Sequence, residues 1–204
     1  MYLTVPNILT YTRILAIPVV VGLFFVTDPL GSWLGFGFYV YACITDFFDG
    51  YLARAWHQQS ALGRFLDPIA DKLLVAGVLL ALVGGDRISG YELIPAGIIL
   101  GREILVSGLR EFLIELRVGM PVSELAKWKT GIQMLALGFL LVGPNGPEFW
   151  GISTLLIGVV GLWLAAGLTL LTGFDYLNVG IRHIRETDMA PVGRRPKDES
   201  KKDK

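Results

Sequence analysis

Four aspartates stand in two pairs within the stretch TDFFDGYLARAWHQQSALGRFLDPIADKLL: Asp46 with Asp49, and Asp67 with Asp71. The first pair is three residues apart and the second four, so each pair lies on one face of a helix. Four carboxylates gathered at one point in a low-dielectric setting repel strongly unless cations hold them. Hard oxygen ligands suit Mg2+ or Mn2+, and two such ions would roughly balance the four charges. Solvated charges at a surface explain Asp46 and Asp49 alone equally well. They explain the whole set poorly, because Asp71 lies beyond Pro68 in an apolar run, where an ionisable group is costly and usually functional.

The neighbours of these aspartates suit a nucleotide diphosphate. Gly50 has no side chain, so a ligand can approach the backbone beside Asp49. Ala53 is small on the same face, and Gly63 leaves room where the next helix begins. Arg54, one turn beyond Gly50, offers a planar set of donors to a phosphate or a cytosine edge. Each small residue taken singly is better explained by helix packing.

The elements that must position these groups are membrane helices. The chain has 204 residues, of which 53% are hydrophobic and only 18% charged. The apolar excess is concentrated in long runs, as in a chain that crosses a bilayer. Six segments approach the ~20 residues needed to span a hydrocarbon core. They fall near Ile8–Val26, Trp33–Leu52, Phe65–Leu82, Ile94–Leu113, Thr130–Val142 (extended at both ends) and Ile152–Leu171. Short links at Thr27–Ser32, Gly84–Gly90 and Gly143–Glu148 join them on one side, broken by Gly, Pro, Asn and Asp. Those links carry Arg87 alone among the 18 Lys and Arg, whereas Arg54, Arg64, Arg117, Lys127, Lys129 and the tail share the other side. The positive-inside rule then puts both termini in the cytoplasm.

The expected fold is therefore all-α and polytopic, with six transmembrane helices and a single membrane domain over residues 1–186. Residues 187–204, ending DESKKDK, read as a polar, disordered cytoplasmic tail. Asn7, Thr10 and Arg13 interrupt the start, so the first run is expected to remain as a helix and not to be cleaved. Zero formal net charge excludes an electrostatic case for nucleic acid, and Cys43 as the sole cysteine excludes an intrachain disulfide and a cysteine-based metal site.

The pattern Asp46-x2-Asp49-Gly50-x2-Ala53-Arg54-x8-Gly63-x3-Asp67-x3-Asp71 resembles, without a gap, the signature of the CDP-alcohol phosphatidyltransferase family. That resemblance implies a six-helix membrane fold, a homodimer, a two-metal site and a CDP-lipid donor. It makes Asp46, Asp49, Asp67 and Asp71 the metal ligands and Asp71 also the base for the incoming hydroxyl. The donor would touch Asp46, Asp49, Gly50, Ala53, Arg54 and Gly63, joined by Thr10 and Arg13 of the opening segment. The opening VPNILTYTRIL, the stretch GREILVSGLREFLIELR and the run KWKTGIQM are similar to bacterial members that use sn-glycerol 3-phosphate as acceptor. The implied reaction converts CDP-diacylglycerol and that acceptor into phosphatidylglycerophosphate and CMP, a step of phospholipid biosynthesis. Its place would be the cytoplasmic face of a bacterial inner membrane.

Glycerol 3-phosphate is a dianion and needs cations. Arg102 lies deep in span four, Arg110 follows two turns later at about 12 Å of rise, and Lys127 and Lys129 introduce span five. Each has a plainer explanation. Arg102 could pair with Glu103, Glu111 or an aspartate for structure alone, and the lysines could be positive-inside anchors. Thr10 and Arg13 could mark the membrane interface, and Asn7 could cap the first helix. Lys72 is expected to pair with a carboxylate or lipid, and His57 to be solvated. Gln133 and Thr130 could line the acceptor pocket or satisfy each other.

Rival functions keep or change the chemistry. Serine, inositol phosphate or phosphatidylglycerol could replace the acceptor. A divalent-cation transporter would also place carboxylates in spans, but it needs polar residues to the far side, and Leu73–Val83 and Leu155–Leu164 are almost wholly apolar. A prenyl synthase with aspartate-rich metal sites would be a soluble bundle.

Overall fold

A computed structural model describes residues 5–26, 29–55, 61–115 and 124–189. The described residues form six long helices: α1 (Val5–Leu23), α2 (Leu30–Ala55), α3 (Ala61–Gly84), α4 (Leu93–Glu115), α5 (Glu124–Val142) and α6 (Thr154–Met189). Each coincides with one expected span. The ends differ for a physical reason: hydropathy stops where charge begins, whereas a helix continues through charged turns. Thus α5 starts at Glu124, ahead of the apolar run, and α6 runs for 36 residues to Met189. The first three residues of the expected tail, from Thr187, are still helical, and residues 190–204 lie outside the described residues. Asn7 falls inside the first turn of α1 and is buried, so the helix begins two residues before the expected cap.

Helices α5 and α6, over Glu124–Asn145 and Thr154–Asn178, are long and apolar enough to cross a membrane, and Asn7–Leu23 is a shorter apolar helix. The remaining three carry their charges at one end. Asp46 and Asp49 sit in the last third of α2, Asp67, Asp71 and Lys72 in the first half of α3, and Arg110 and Glu111 near the end of α4. The other halves are apolar and turn large side chains outward, among them Leu34, Leu80 and Ile94. Such exposure on every side is unusual for a protein surrounded by water and natural for one surrounded by lipid.

The core joins Val20 of α1, Ala42 of α2, Leu74 and Leu82 of α3, Ile99 of α4, Leu140 of α5 and Leu162 of α6. Helices α5 and α6 pack most extensively, α4 lies on α6, and α2 lies on α5. At the α5–α6 crossing a Cβ on Gly158 would stand 2.8 Å from Leu140 and one on Gly161 2.9 Å from Ala136. The glycines let the two backbones approach closely. Helix α1 packs against both α2 and α3, which touch each other little. The two aspartate-bearing helices are therefore separated by the N-terminal helix and do not pair directly.

Arg87 ties the end of the bundle opposite the aspartates. Its Nη1 donates to the carbonyls of Leu140 and Leu141 at 3.3 and 3.1 Å, and its Nη2 donates to Ser32 Oγ at 2.9 Å. The guanidinium also lies 5.1 Å from the ring centre of Phe24. Late carbonyls of a helix have no partner within the helix and carry partial negative charge, so a cation there is favourable. Gly143, at φ +55°, leaves the space that this side chain fills. The lone cation of the outer links is thus a cap on α5 that also anchors α2. Arg87→Ala is expected to destabilise the bundle by about 3 kcal/mol, read as a lower unfolding midpoint in detergent, with kcat of the folded fraction unchanged.

Candidate functional site

Helix α1 supplies the groups that gather the carboxylates. Arg13 is fully buried; its Nη1 lies 2.6 Å from Asp46 Oδ1, and its Nη2 donates to Asp49 Oδ2. One helical turn earlier, Thr10 donates its hydroxyl proton to Asp67 Oδ1 at 2.8 Å. Asp49 Oδ2 stands 3.5 Å from the same hydroxyl, a marginal second contact, since the hydroxyl has a single proton to give. Three of the four expected ligands, from two helices, therefore converge on two adjacent turns of a third. Asp49 is 4% exposed, while the side chains of Asp46 and Asp71 are 40% and 36% exposed and so reachable by a ligand.

Asp71 stands on the other side of this group. Its Oδ2 is 3.8 Å from Lys72 Nζ, the expected pairing of that lysine, and it interacts electrostatically with Asp46, Glu103 and Arg13. Gly63 is buried near the start of α3. Gly50 and Ala53 lie on α2 next to Asp49; the side chains of Ala53 and Arg54, and all of His57, lie outside the described residues.

Among the described residues no three acidic, histidine or cysteine side chains stand close enough to hold one metal ion. The arrangement explains this, because the Arg13 guanidinium occupies the position between Asp46 and Asp49. The donor set nevertheless fits a hard divalent cation. Four carboxylates face one buried guanidinium and Lys72, which leaves surplus negative charge, and two of the carboxylates are open to an incoming ion.

The four basic residues expected to bind the acceptor separate into two groups. Arg102 and Lys129 enter the bundle. Lys129 is 3% exposed and ion-paired with Glu103, and Arg102 Nη1 lies 3.9 Å from the same carboxylate. Arg102 Nη2 donates to Thr172 Oγ1 at 3.2 Å, and its guanidinium lies 5.7 Å from the ring centre of Tyr176. Lys129 interacts electrostatically with Asp71, so this basic group lies within the field of the acidic one. Lys127 is instead on the surface, paired with Glu124 at 2.7 Å, and Arg110 is exposed. Gln133 is buried one turn beyond Lys129, while Thr130 is exposed and donates to the Ala126 carbonyl. The two therefore do not satisfy each other.

An apolar cleft of about 500 Å3 runs between α2 and α5, from Trp33 and Phe149 at the end away from the aspartates to Phe47 and Phe48, the residues between Asp46 and Asp49 in sequence. Sequence reasoning did not single out this cleft or Thr172 and Tyr176. The four-residue spacing of that last pair within an otherwise apolar helix is the signal that could have found them.

The family model for CDP-alcohol phosphatidyltransferases matches residues 3–171. The chain is 49% identical over 171 residues to a CDP-diacylglycerol–glycerol-3-phosphate 3-phosphatidyltransferase of Rickettsia bellii (strain RML369-C), covering 84% of this chain and 92% of that protein. It is 39% identical over 186 residues to the enzyme of the same name from Pseudomonas fluorescens, covering 90% and 93%. To that of Cereibacter sphaeroides it is 35% identical over 216 residues, covering 90% and 98%.

Proposed function

The chain belongs to the CDP-alcohol phosphatidyltransferase family, and from that premise we infer that it transfers the phosphatidyl group of CDP-diacylglycerol to sn-glycerol 3-phosphate. The products are phosphatidylglycerophosphate and CMP, and the role is in phospholipid biosynthesis. One observation carries this conclusion: identity of 49% over 84% of the chain to an enzyme named for that donor and acceptor. The geometry supports it, with carboxylates paired to buried cations and an apolar cleft along α2 that reaches Phe47 and Phe48.

Asp46, Asp49, Asp67 and Asp71 would hold two divalent cations, Mg2+ or Mn2+, which when bound supply charge neutralisation at the donor diphosphate and the departing CMP. The acyl chains of the donor lie in the apolar cleft. Thr10, Arg13, Gly50, Ala53, Arg54 and Gly63 surround its CDP portion. Arg102 and Lys129 bind the acceptor phosphate, with Arg110 and Lys127 attracting it from the surface. Asp71 accepts the proton of the acceptor's primary hydroxyl as that oxygen attacks the lipid-linked phosphorus in line. The new P–O bond forms as the bond to CMP breaks. Positioning and electrostatics provide most of the acceleration.

The same reading places six spans in a bacterial inner membrane with both termini in the cytoplasm, the tail 187–204 beyond the membrane domain 1–186, and two copies in a homodimer. The gathering of Asp46, Asp49, Asp67, Asp71 and Lys72 toward one end of the bundle supports a site at the cytoplasmic boundary, where an amphiphilic donor and a water-soluble acceptor meet.

The test is CMP release from CDP-diacylglycerol in detergent. sn-Glycerol 3-phosphate is expected to support it, and serine and inositol phosphate are not; release with either of those instead would overturn the acceptor. A chelator is expected to abolish release, and added Mg2+ or Mn2+ to restore it. Full activity after exhaustive chelation would remove the metal site.

A further inference from the structure

We propose that Glu103 is a positioning residue of the acceptor subsite: its carboxylate holds Lys129 and Arg102 in the bundle beside Asp71, where the acceptor phosphate binds. This deepens the assignment above and rests on it. Glu103 reaches from α4 to Lys129 on α5, and the same Oε1 lies 3.9 Å from Arg102 Nη1. One carboxylate thus faces two cations, and the excess positive charge lies in the interior of the bundle, where an anion is bound most strongly. Arg102 is fixed from its far side by the Thr172 hydroxyl and the Tyr176 ring. Gly173 leaves room for it, since a Cβ there would stand 3.1 Å from Arg102 Cγ.

Unused hydrogen-bonding capacity points the same way. Arg102 Nε is buried without an acceptor, and Gln133 Oε1 is buried without a donor, among the described residues. Buried polar atoms of this kind are rare without a ligand or a water. A phosphorylated polyol supplies both complements, phosphate oxygens for the guanidinium and hydroxyl protons for the amide. Asp71 interacts electrostatically with both Glu103 and Lys129, so a phosphate held here lies within the field of the group proposed to take the acceptor proton. Lys129 needs Glu103 to stay where it is, because a buried ammonium without a counter-charge is strongly unfavourable.

Glu103→Gln removes the charge and keeps the shape. In the full-length enzyme, the acceptor KM is expected to rise by about tenfold or more, with donor KM and kcat at saturating acceptor unchanged. Glu103→Asp should recover part of the loss. Because Glu103 acts partly through Lys129, Glu103→Gln should raise the acceptor KM less in the Lys129→Met background than in the native chain. A parallel rise in donor and acceptor KM, or penalties that multiply in the double variant, would overturn the proposal. If Glu103→Gln does not fold, Glu103→Asp decides by the same split: an acceptor-only rise supports it, and a parallel rise overturns it. The acceptor profile of the unmodified enzyme tests the underlying assignment separately, so the two can fail independently.

Discussion

Asp71→Asn lowers kcat by about 10³-fold while donor binding is kept. The substitution preserves size and one acceptor oxygen but removes the basic lone pair and the negative charge. Proton transfer is the role proposed for Asp71, which is partly exposed and lies in the field of both Asp46 and the Glu103–Lys129 pair. Asp46, Asp49 and Asp67 make their direct contacts to Arg13 and Thr10 and not to Asp71. Binding of CDP-diacylglycerol should therefore survive, and CMP release should stay low even at saturating Mg2+ or Mn2+. That second condition separates loss of the base from weakened ion binding. Near-normal kcat would remove Asp71 from the role.

The second large effect is on stability. Arg13 is fully buried against a carboxylate that is itself 4% exposed. Removing one partner of such a pair strands the other, at a cost of about 3–5 kcal/mol. Arg13→Ala should lower the unfolding midpoint in detergent accordingly. It should also change the response to cations. In the native chain the guanidinium already offsets charge between Asp46 and Asp49, and in the variant only an added ion can. Mg2+ or Mn2+ should then raise the midpoint of the variant more than that of the native chain. An equal rise in both would mean that Arg13 and the ions do not share those carboxylates.

Much of this was legible in the residues. Hydropathy located all six helices, because apolar runs of span length have few other fates. The aspartate spacing pointed to a group of which Asp46, Asp49 and Asp67 meet on Arg13 and Thr10, and Arg102 does lie near Glu103, one of the ionic partners considered for it. What periodicity could not reveal is how helices order themselves sideways. Helices α2 and α3 are consecutive in sequence, yet α1 packs against both while they touch each other little. Arg13 and Thr10 consequently organise the acidic group from its centre, although nothing in their own helix is acidic. Similarly, Lys127 and Lys129 look alike in sequence, and only the rotation of α5 sends one to Glu103 and the other to the surface. A two-residue offset is about 200° around a helix, which separates them almost completely.

Placing a full cation in the middle of the first helix also bears on how the chain enters its bilayer. When α1 emerges from the ribosome, Arg13 has no carboxylate to meet, and its partners Asp46 and Asp49 are synthesised more than thirty residues later. An isolated helix with an arginine at its centre inserts poorly, by about 2.5–3.5 kcal/mol. In the proposed six-span topology, biogenesis would then commit the first two helices, and the third through Thr10, as a joint unit, so that the N-terminal helix meets its counter-charges before it is released to lipid.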